Sequence, residues 1–309
     1  MPSKSVLQAI GNTPLVELRS VVPRGAARVF IKLEYYNPTG SYKDRMALAV
    51  IEGAERRGAL RPGMRVVEYT GGSTGSSLAL VCAVKGYRFT PISSDAFARE
   101  KLDTMRALGG DLMMVPSDGG KITAGLFARF KEAVAREAAN PDVFWADQFH
   151  NPDVVEGYAP MGREILAQME RPIAVFCAAA GSGGMLVGVS RVLKAGDSGA
   201  RIVALEPAES PVLTEGRAGA HRVEGVGVGF RPPHMQPGDY HEVRAVPEAA
   251  ARAMARRLAR EEGIFAGTSS GMNVHAAVGL AEELGPQAAI VTVAVDSGLK
   301  YLAGDLYSG

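Results

Sequence analysis

The stretch Asn37-Pro38-Thr39-Gly40-Ser41-Tyr42-Lys43-Asp44-Arg45 decides how this chain can be interpreted. It follows the alternating segment Arg28 to Glu34, which is typical of a strand, and it leads into a helical pattern. Lys43 is therefore expected at a helix start, where the positive end of the helix dipole disfavours a cation. That cost is easier to understand if the Lys43 amine is covalently bonded to a ligand instead of carrying a free charge.

Two glycine-rich loops occupy equivalent places further along the chain. Thr70-Gly71-Gly72-Ser73-Thr74-Gly75 follows the strand-like segment Arg65 to Tyr69, and Gly181-Ser182-Gly183-Gly184 follows the apolar segment Ile173 to Ala178. A helical pattern comes after each loop. Apolar strands separated by helices predict an α/β fold with mostly parallel sheets that are covered on both faces. Ligands of such folds bind beyond the carboxyl ends of the strands, where all three marked segments would lie.

Composition excludes several classes of protein. The chain has 309 residues, of which 47% are hydrophobic and 22% charged, as in an ordinary globular protein. A formal net charge of +1 argues against a nucleic-acid surface. The sequence shows no apolar run of membrane-spanning length and no signal-peptide pattern. Two cysteines, Cys82 and Cys177, do not make a disulfide framework, so the reducing cytoplasm is the expected location.

Seven segments, in the same order, resemble the pyridoxal phosphate (PLP) enzymes of the cysteine synthase and cystathionine β-synthase family. The segments are Ile10 to Leu15, Asn37 to Arg45, Thr70 to Gly75, Gln148-Phe149 with Asn151-Pro152, Gly181 to Gly184, Gly225 to Phe230, and Gly267 to Gly271. Their agreement over nearly the whole chain is more specific than any one match. The resemblance implies the tryptophan synthase β-like fold (fold type II), with two three-layer α/β domains and PLP in the cleft between them. It implies a small domain at residues 40–147 and a large domain at residues 1–39 and 148–309.

The resemblance also assigns roles to residues of the cofactor site. Lys43 is implied to be the catalytic residue that carries PLP as a Schiff base; the alternative is a solvated lysine paired with Asp44. Backbone N–H groups of a glycine loop and a helix dipole suit a phosphate. Ser269 is implied to face the pyridine nitrogen, although it could also cap a helix from Gly271 to Glu283. The full implied set of cofactor-binding residues is Lys43, Ser73, Gly181, Ser182, Gly183, Gly184, Gly225 and Ser269.

The implied substrate residues contain departures from the family pattern. The substrate carboxylate is expected on Thr70, Gly71, Ser73, Thr74 and Gln148, but Gly71 replaces a common serine and Ser73 a common asparagine. Met185 stands where a threonine usually binds the phosphate. Arg231 replaces a residue that is commonly apolar. It either steadies the Pro232-Pro233 turn at the surface or binds a distal anionic group of a substrate. These departures affect the substrate prediction more than the cofactor prediction.

The resemblance implies a β-replacement reaction on a serine-derived amino acid of the O-acetylserine or O-phosphoserine type. The reaction would pass through an aminoacrylate and use sulfide to give L-cysteine. A neutral hydroxyl such as that of Ser269 favours loss of a β-leaving group over transamination, because it does not hold the ring nitrogen protonated. Three alternatives stay open: a β-elimination lyase of the cysteine desulfhydrase or serine dehydratase type, replacement by another nucleophile to give cystathionine or 2,3-diaminopropionate, and a cofactor-binding scaffold with little catalysis. An intact Lys43 disfavours the scaffold.

The expected partners are small amino-acid substrates and, from the resemblance, a second copy of the chain in a homodimer. No nucleic-acid or membrane partner is expected. The five histidines show no metal-ligand spacing, so no metal is expected either.

Overall fold

The computed structural model of the protein describes residues 3–120, 123–196 and 199–308. The strands are β1 (Leu15–Leu18), β2 (Arg28–Leu33), β3 (Arg65–Tyr69), β4 (Arg88–Ser93), β5 (Met113–Met114), β6 (Val143–Trp145), β7 (Val175–Ala179), β8 (Arg201–Pro207), β9 (Glu242–Val246) and β10 (Ala289–Ala294). The helices are α1 (Lys43–Arg56), α2 (Ser73–Lys85), α3 (Arg99–Ala107), α4 (Ala124–Ala138), α5 (Asp153–Glu156), α6 (Ala159–Gln168), α7 (Gly184–Ala195), α8 (Val212–Glu215), α9 (Glu248–Arg257) and α10 (Thr268–Leu284). Short 3₁₀ helices lie at Val6–Ala9, Glu34–Tyr36 and Gly298–Tyr301, and a π-helical turn at Leu258–Glu262.

The described residues group into two compact units. The first unit comprises the described residues of Met1–Ile10 and Lys43–Gly157, and the second those of Gly11–Tyr42 and Tyr158–Gly309. Each unit has its own sheet. The domain boundaries implied by the resemblance, residues 40–147 against 1–39 and 148–309, remain a proposal.

The first unit contains a four-stranded parallel sheet in the order β5-β4-β3-β6. β3 is central, and four of its five residues are buried because helices and neighbouring strands cover it. The helix α2 after β3 ends at Gly86, which adopts the left-handed conformation with φ +78°. Glycine takes this conformation at no steric cost, so it is a common end to a helix.

The second unit contains a six-stranded sheet in the order β1-β2-β10-β7-β8-β9. Only the pairing of β1 with β2 is antiparallel among the strand pairs of this sheet in the described residues. All residues of β7 and β10 are buried, as expected for central parallel strands. The predicted α/β class with mostly parallel sheets is confirmed.

The structure corrects several boundaries. β2 ends at Leu33, because Glu34 begins a 3₁₀ helix. The helix expected from Gly271 begins earlier, at Thr268, with Gly267 as its N-cap. The alanine-rich stretch Ile122 to Ala138 is typical of a helix. In the structure this helix begins at Ala124 and Thr123 caps it, while Ile122 lies outside the described residues. In the described part of the chain, every helix falls short of the length and hydrophobicity that crossing a membrane requires.

Candidate active site

Lys43 is the first residue of α1, and its side chain is buried with 8% exposure. This burial contradicts the alternative of a solvated lysine. Asp44, the next residue, accepts a hydrogen bond from the Ser77 hydroxyl of α2 at 2.6 Å, which ties the start of α1 to α2. A buried lysine at a helix N-terminus suits a role in which the amine is covalently bonded or uncharged for part of a reaction cycle.

The residues that lead to Lys43 are held by the segment that follows β10, an inner strand of the six-stranded sheet. The Tyr42 N–H donates to the carbonyl of Val295 at 3.1 Å, and Ser41 forms an isolated antiparallel bridge with Asp296. The N–H of Val295 in turn donates to the Ser270 hydroxyl at 2.9 Å. Residues 295 and 296 therefore hold both the residues before Lys43 and the first turn of α10, which carries Ser269.

Ser269 is the second residue of α10 and is 2% exposed. The interpretation of Ser269 as an N-cap is wrong, because Gly267 occupies that position. The Ser269 hydroxyl makes no hydrogen bond with the residues that the structure describes. The hydroxyl is therefore available to a hydrogen-bond donor or acceptor of a ligand.

The loop Gly181 to Gly184 joins β7 to α7. Gly183 adopts φ +84°, a conformation that residues with a Cβ rarely adopt. A Cβ at Gly181 would lie 2.3 Å from the carbonyl oxygen of Gly225, so only glycine allows these two backbones to approach. Ser182 is 6% exposed, and its hydroxyl has no hydrogen-bond partner within the described ranges. Backbone N–H groups, a buried hydroxyl and the N-terminus of α7 together suit a phosphate.

The segment Gly225 to Phe230 lies against this loop. The Gly227 N–H donates to the carbonyl of Ala180 at 3.2 Å. His221, which sequence reasoning did not assign, also holds the segment. Its Nδ1 accepts from the Val223 N–H at 3.2 Å, so its Nε2 carries the proton and donates to the Gly227 carbonyl at 3.0 Å. The glycine spacing predicted this segment, but no sequence signal links His221 to it.

The loop Thr70 to Gly75 joins β3 to α2. The Thr70 hydroxyl accepts from the N–H groups of Gly72 at 3.1 Å and Gly75 at 3.2 Å, which keeps the loop tight. The Ser93 hydroxyl of β4 donates to the Thr70 carbonyl at 2.7 Å. Ser73 is the first residue of α2, so the predicted carboxylate loop ends at a helix N-terminus, where an anion is favoured.

Gln148 joins this loop through three hydrogen bonds. Its side-chain oxygen accepts from the Thr74 hydroxyl at 2.8 Å, and its amide nitrogen donates to the Tyr69 carbonyl at 3.3 Å. Its backbone N–H donates to a carboxyl oxygen of Glu68 at 3.0 Å. The structure therefore places Gln148 against Thr74, and a role of both in binding a carboxylate stays a prediction. Sequence reasoning missed Glu68, because it lies within the strand pattern and no neighbour along the chain marks it.

The departure at Gly71 has a steric explanation, and the neighbouring Gly72 is crowded in the same way. A Cβ at Gly71 would lie 2.4 Å from the Phe97 ring, and a Cβ at Gly72 would lie 2.6 Å from Cδ of Lys101. Phe97 and Lys101 come from the segment between β4 and the middle of α3, and sequence reasoning did not connect them with the loop. The serine that is common in the family at position 71 would require Phe97 to move.

Arg231 lies at the surface. Its guanidinium donates to the Tyr240 hydroxyl at 2.9 Å and to the Leu213 carbonyl at 3.4 Å. These bonds hold the side chain against its own unit, and a role in substrate binding stays a prediction. Within the described residues, no group of three or more His, Cys, Asp and Glu side chains is placed to hold a metal ion.

Comparisons with known proteins identify the family of the chain. The family model for pyridoxal-phosphate dependent enzymes matches residues 6–296. A cysteine synthase of Staphylococcus aureus (strain Mu50 / ATCC 700699) is 42% identical over 309 residues, which cover 99% of this chain and 98% of the relative.

Two solved structures also resemble the chain closely. An O-ureido-L-serine synthase has a TM-score of 0.92 and 34% identity over 100% of this chain and 96% of that protein. An O-acetyl serine sulfhydrylase isoform 3 of Entamoeba histolytica has a TM-score of 0.92 and 32% identity over 100% of this chain and 92% of that one. The predicted cofactor, PLP, is confirmed. The chain belongs to the family of pyridoxal-phosphate-dependent enzymes of fold type II that includes the cysteine synthases.

Proposed function

We propose that this protein replaces the β-substituent of an O-substituted serine, such as O-acetylserine or O-phosphoserine, with sulfide to give L-cysteine. The observation that carries the proposal is the burial of Lys43 at the first residue of α1. The similarity to cysteine synthases over nearly the full length supports the reaction type.

The residues present fit the cofactor. The backbone of Gly181 to Gly184 and the Ser182 hydroxyl would bind its phosphate, and Gly225 and Ser73 would lie beside its ring. The Ser269 hydroxyl would bond to the pyridine nitrogen. When bound, PLP supplies an aldehyde that captures an amine and a ring that withdraws electrons from the substrate Cα.

The residues of the proposed site would each have a defined task in this reaction. Thr70, Thr74 and Gln148, with the backbone of Gly71 and Ser73, would hold the substrate carboxylate and so orient the Cα–H bond. The Lys43 amine would accept the α-proton, and the β-substituent would leave with its bonding electrons. Sulfide would then bond to Cβ, and the Lys43 ammonium would return the proton to Cα.

A second candidate is replacement by a different nucleophile, or elimination without replacement. The observation that favours it is the loop Thr70 to Gly75, where Gly71 stands in place of a common serine and the Phe97 ring occupies the space of a Cβ at that position. We also propose that Arg231 binds a distal anionic group of a substrate, that the protein is a cytoplasmic homodimer, and that residues 40–147 form its small domain.

Borohydride reduction of the holoenzyme followed by peptide mapping tests the assignment of Lys43. A pyridoxyl group is expected on Lys43, and its attachment to another lysine would overturn the assignment. Lys43→Ala should lose nearly all turnover while it retains PLP through the phosphate loop. Product analysis with sulfide and a panel of O-substituted serines then separates replacement from elimination, since pyruvate without cysteine would favour a lyase.

A further inference from the structure

Glu68 is a buried carboxyl group directly behind the predicted substrate loop. It lies in β3 two residues before Thr70 and has an exposure of 0%. One carboxyl oxygen accepts the Gln148 N–H at 3.0 Å, and the other, Oε1, is buried without a hydrogen-bond partner. A carboxylate with one unsatisfied oxygen is costly in such a place, whereas a neutral carboxyl group is far less so.

Burial and the charge of Asp147 favour the neutral form of Glu68. The pKa of Glu68 is raised to about 8, chiefly by burial. The Gln148 N–H lowers this pKa, and the negative charge of Asp147 raises it. Asp147 faces Glu68 from the segment after β6, while the Trp145 indole and the backbone N–H of Tyr69 lower the pKa of Glu68 without outweighing its burial. Other charged groups on the elements around β3 have partners elsewhere: Asp44 of α1 with Ser77, Lys85 of α2 with Glu55, and Glu137 of α4 with Arg65 of β3.

We propose that Glu68 is a positioning residue for Gln148 and that it must be uncharged for the substrate carboxylate to bind. The proposal rests on the proposed function, because it takes Gln148 and Thr74 as the carboxylate site. It adds a residue that does not touch the substrate.

Two physical effects connect Glu68 with carboxylate binding. The hydrogen bond to the backbone N–H of Gln148 fixes the residue whose side chain is already bonded to Thr74 and to the Tyr69 carbonyl. An ionised Glu68 would also place a negative charge behind that side chain, in an environment where charges are poorly screened. The substrate carboxylate would then be repelled, and its affinity would fall as Glu68 loses its proton.

The test compares Glu68→Gln and Glu68→Leu with the wild-type holoenzyme. Glutamine retains the shape and the hydrogen-bond acceptor of the neutral carboxyl group, and leucine removes the acceptor. The measurement is the dissociation constant of L-alanine, an amino acid without a leaving group, followed through the absorbance of bound PLP between about pH 6.5 and pH 9.5. Dividing the wild-type constant by that of Glu68→Gln cancels the titration of the ligand's own amine.

We expect this ratio to rise about tenfold as pH passes through about 8, because only the wild type acquires a charge there. Glu68→Leu should bind several-fold more weakly than Glu68→Gln at every pH. Glu137→Gln serves as the matched control, since Glu137 pairs with Arg65 at the opposite end of β3, and it should follow the wild type. A ratio that does not change with pH, or equal binding by the Leu and Gln variants, would overturn the proposal.

A second readout does not depend on binding. Because the pKa of Glu68 is raised in the folded protein, the unfolded chain ionises first as pH rises from 4.5 towards about 8, and wild-type stability falls over this range. In Glu68→Gln the side chain does not ionise, so this fall in stability with rising pH is absent. The stability of this variant relative to the wild-type holoenzyme should therefore grow with pH up to about 8 and then stay constant. A constant difference would show that Glu68 ionises normally. Failure of the proposed reaction would appear differently, as the loss of turnover with all O-substituted serines while amino-acid binding persists.

Discussion

Ser182 and Ser269 are buried serines whose hydroxyls have no hydrogen-bond partners among the described residues. Since no group of the described chain bonds to these hydroxyls, both are available to a ligand. Both lie where the cofactor is expected, next to the phosphate and next to the pyridine nitrogen. At the scale of single residues, the site is therefore marked by polar groups that the protein itself leaves unsatisfied.

Arg231 can be tested at the same scale. If Arg231 binds a distal anion, Arg231→Ala should lower kcat/KM for O-phosphoserine. The loss of transition-state stabilisation calculated from it should be about 1.5 to 3 kcal/mol, the range of a charged hydrogen bond. The loss for O-acetylserine should be several-fold smaller. Tyr240→Phe is the control, because it removes the hydroxyl that Arg231 contacts at 2.9 Å and retains the guanidinium charge. Equal losses for both substrates, or none, would leave Arg231 as a surface residue that joins parts of its own unit.

The loop between β7 and α7 is the element that we propose as the phosphate site. Its geometry combines a positive φ at Gly183 with the close approach of Gly181 to the Gly225 carbonyl. A Cβ at Gly183 would also lie 2.6 Å from Cγ of Met235. The loop therefore depends on glycine for two separate reasons, conformation and space, and a matched pair of substitutions can separate them.

Gly183→Ala and Gly25→Ala form that pair. Gly25 has φ +82°, close to the +84° of Gly183, but a Cβ there would meet nothing within 4 Å. Each substitution should lower the free energy of unfolding by about 1 to 2 kcal/mol, the cost of a left-handed conformation in a residue with a Cβ. Only Gly183→Ala should also weaken PLP binding, measured as the rate of cofactor release into a competing apoenzyme. Equal cofactor release from both variants would show that the Met235 contact does not matter.

At the scale of the whole molecule, the two units each have a sheet and a buried cysteine. Cys82 lies in α2 of the first unit, and Cys177 lies in β7 of the second. Burial raises the pKa of each thiol to about 12, so neither forms the reactive thiolate in the folded protein. Each cysteine can therefore report the opening of its own unit.

The native protein should not react with a thiol reagent. Urea should expose the two thiols at different concentrations, so that their reactions have separate unfolding midpoints. We expect Cys82 to react at the lower urea concentration, because a four-stranded sheet buries less apolar surface than a six-stranded one. The single-thiol variants Cys82→Ala and Cys177→Ala assign each signal. Coincident midpoints for both thiols would instead mean that the units unfold as one cooperative body.

The sequence by itself determined the class of fold and most of the local elements. The pattern predicted β3 at Arg65 to Tyr69 with both of its boundaries correct. The helical pattern from Thr74 to Val84, followed by Gly86, likewise predicts the end of α2 that the structure has. These features depend on side-chain period and on glycine conformation, which are properties of neighbours along the chain. The order of the glycine loops and the other matching segments along the chain also indicated the family and the cofactor.

Only the tertiary structure decided which distant side chains complete the site. Glu68 and Gln148 are 80 residues apart, and their contact exists because β3 pairs with β6 in the order β5-β4-β3-β6. The sequence alone showed that Gly71 departs from the common serine. The reason, the packing of the Phe97 ring against Gly71, is visible only in the tertiary structure. Local patterns do not specify strand order or the depth at which a polar group is buried, since both follow from the summed packing of the whole chain.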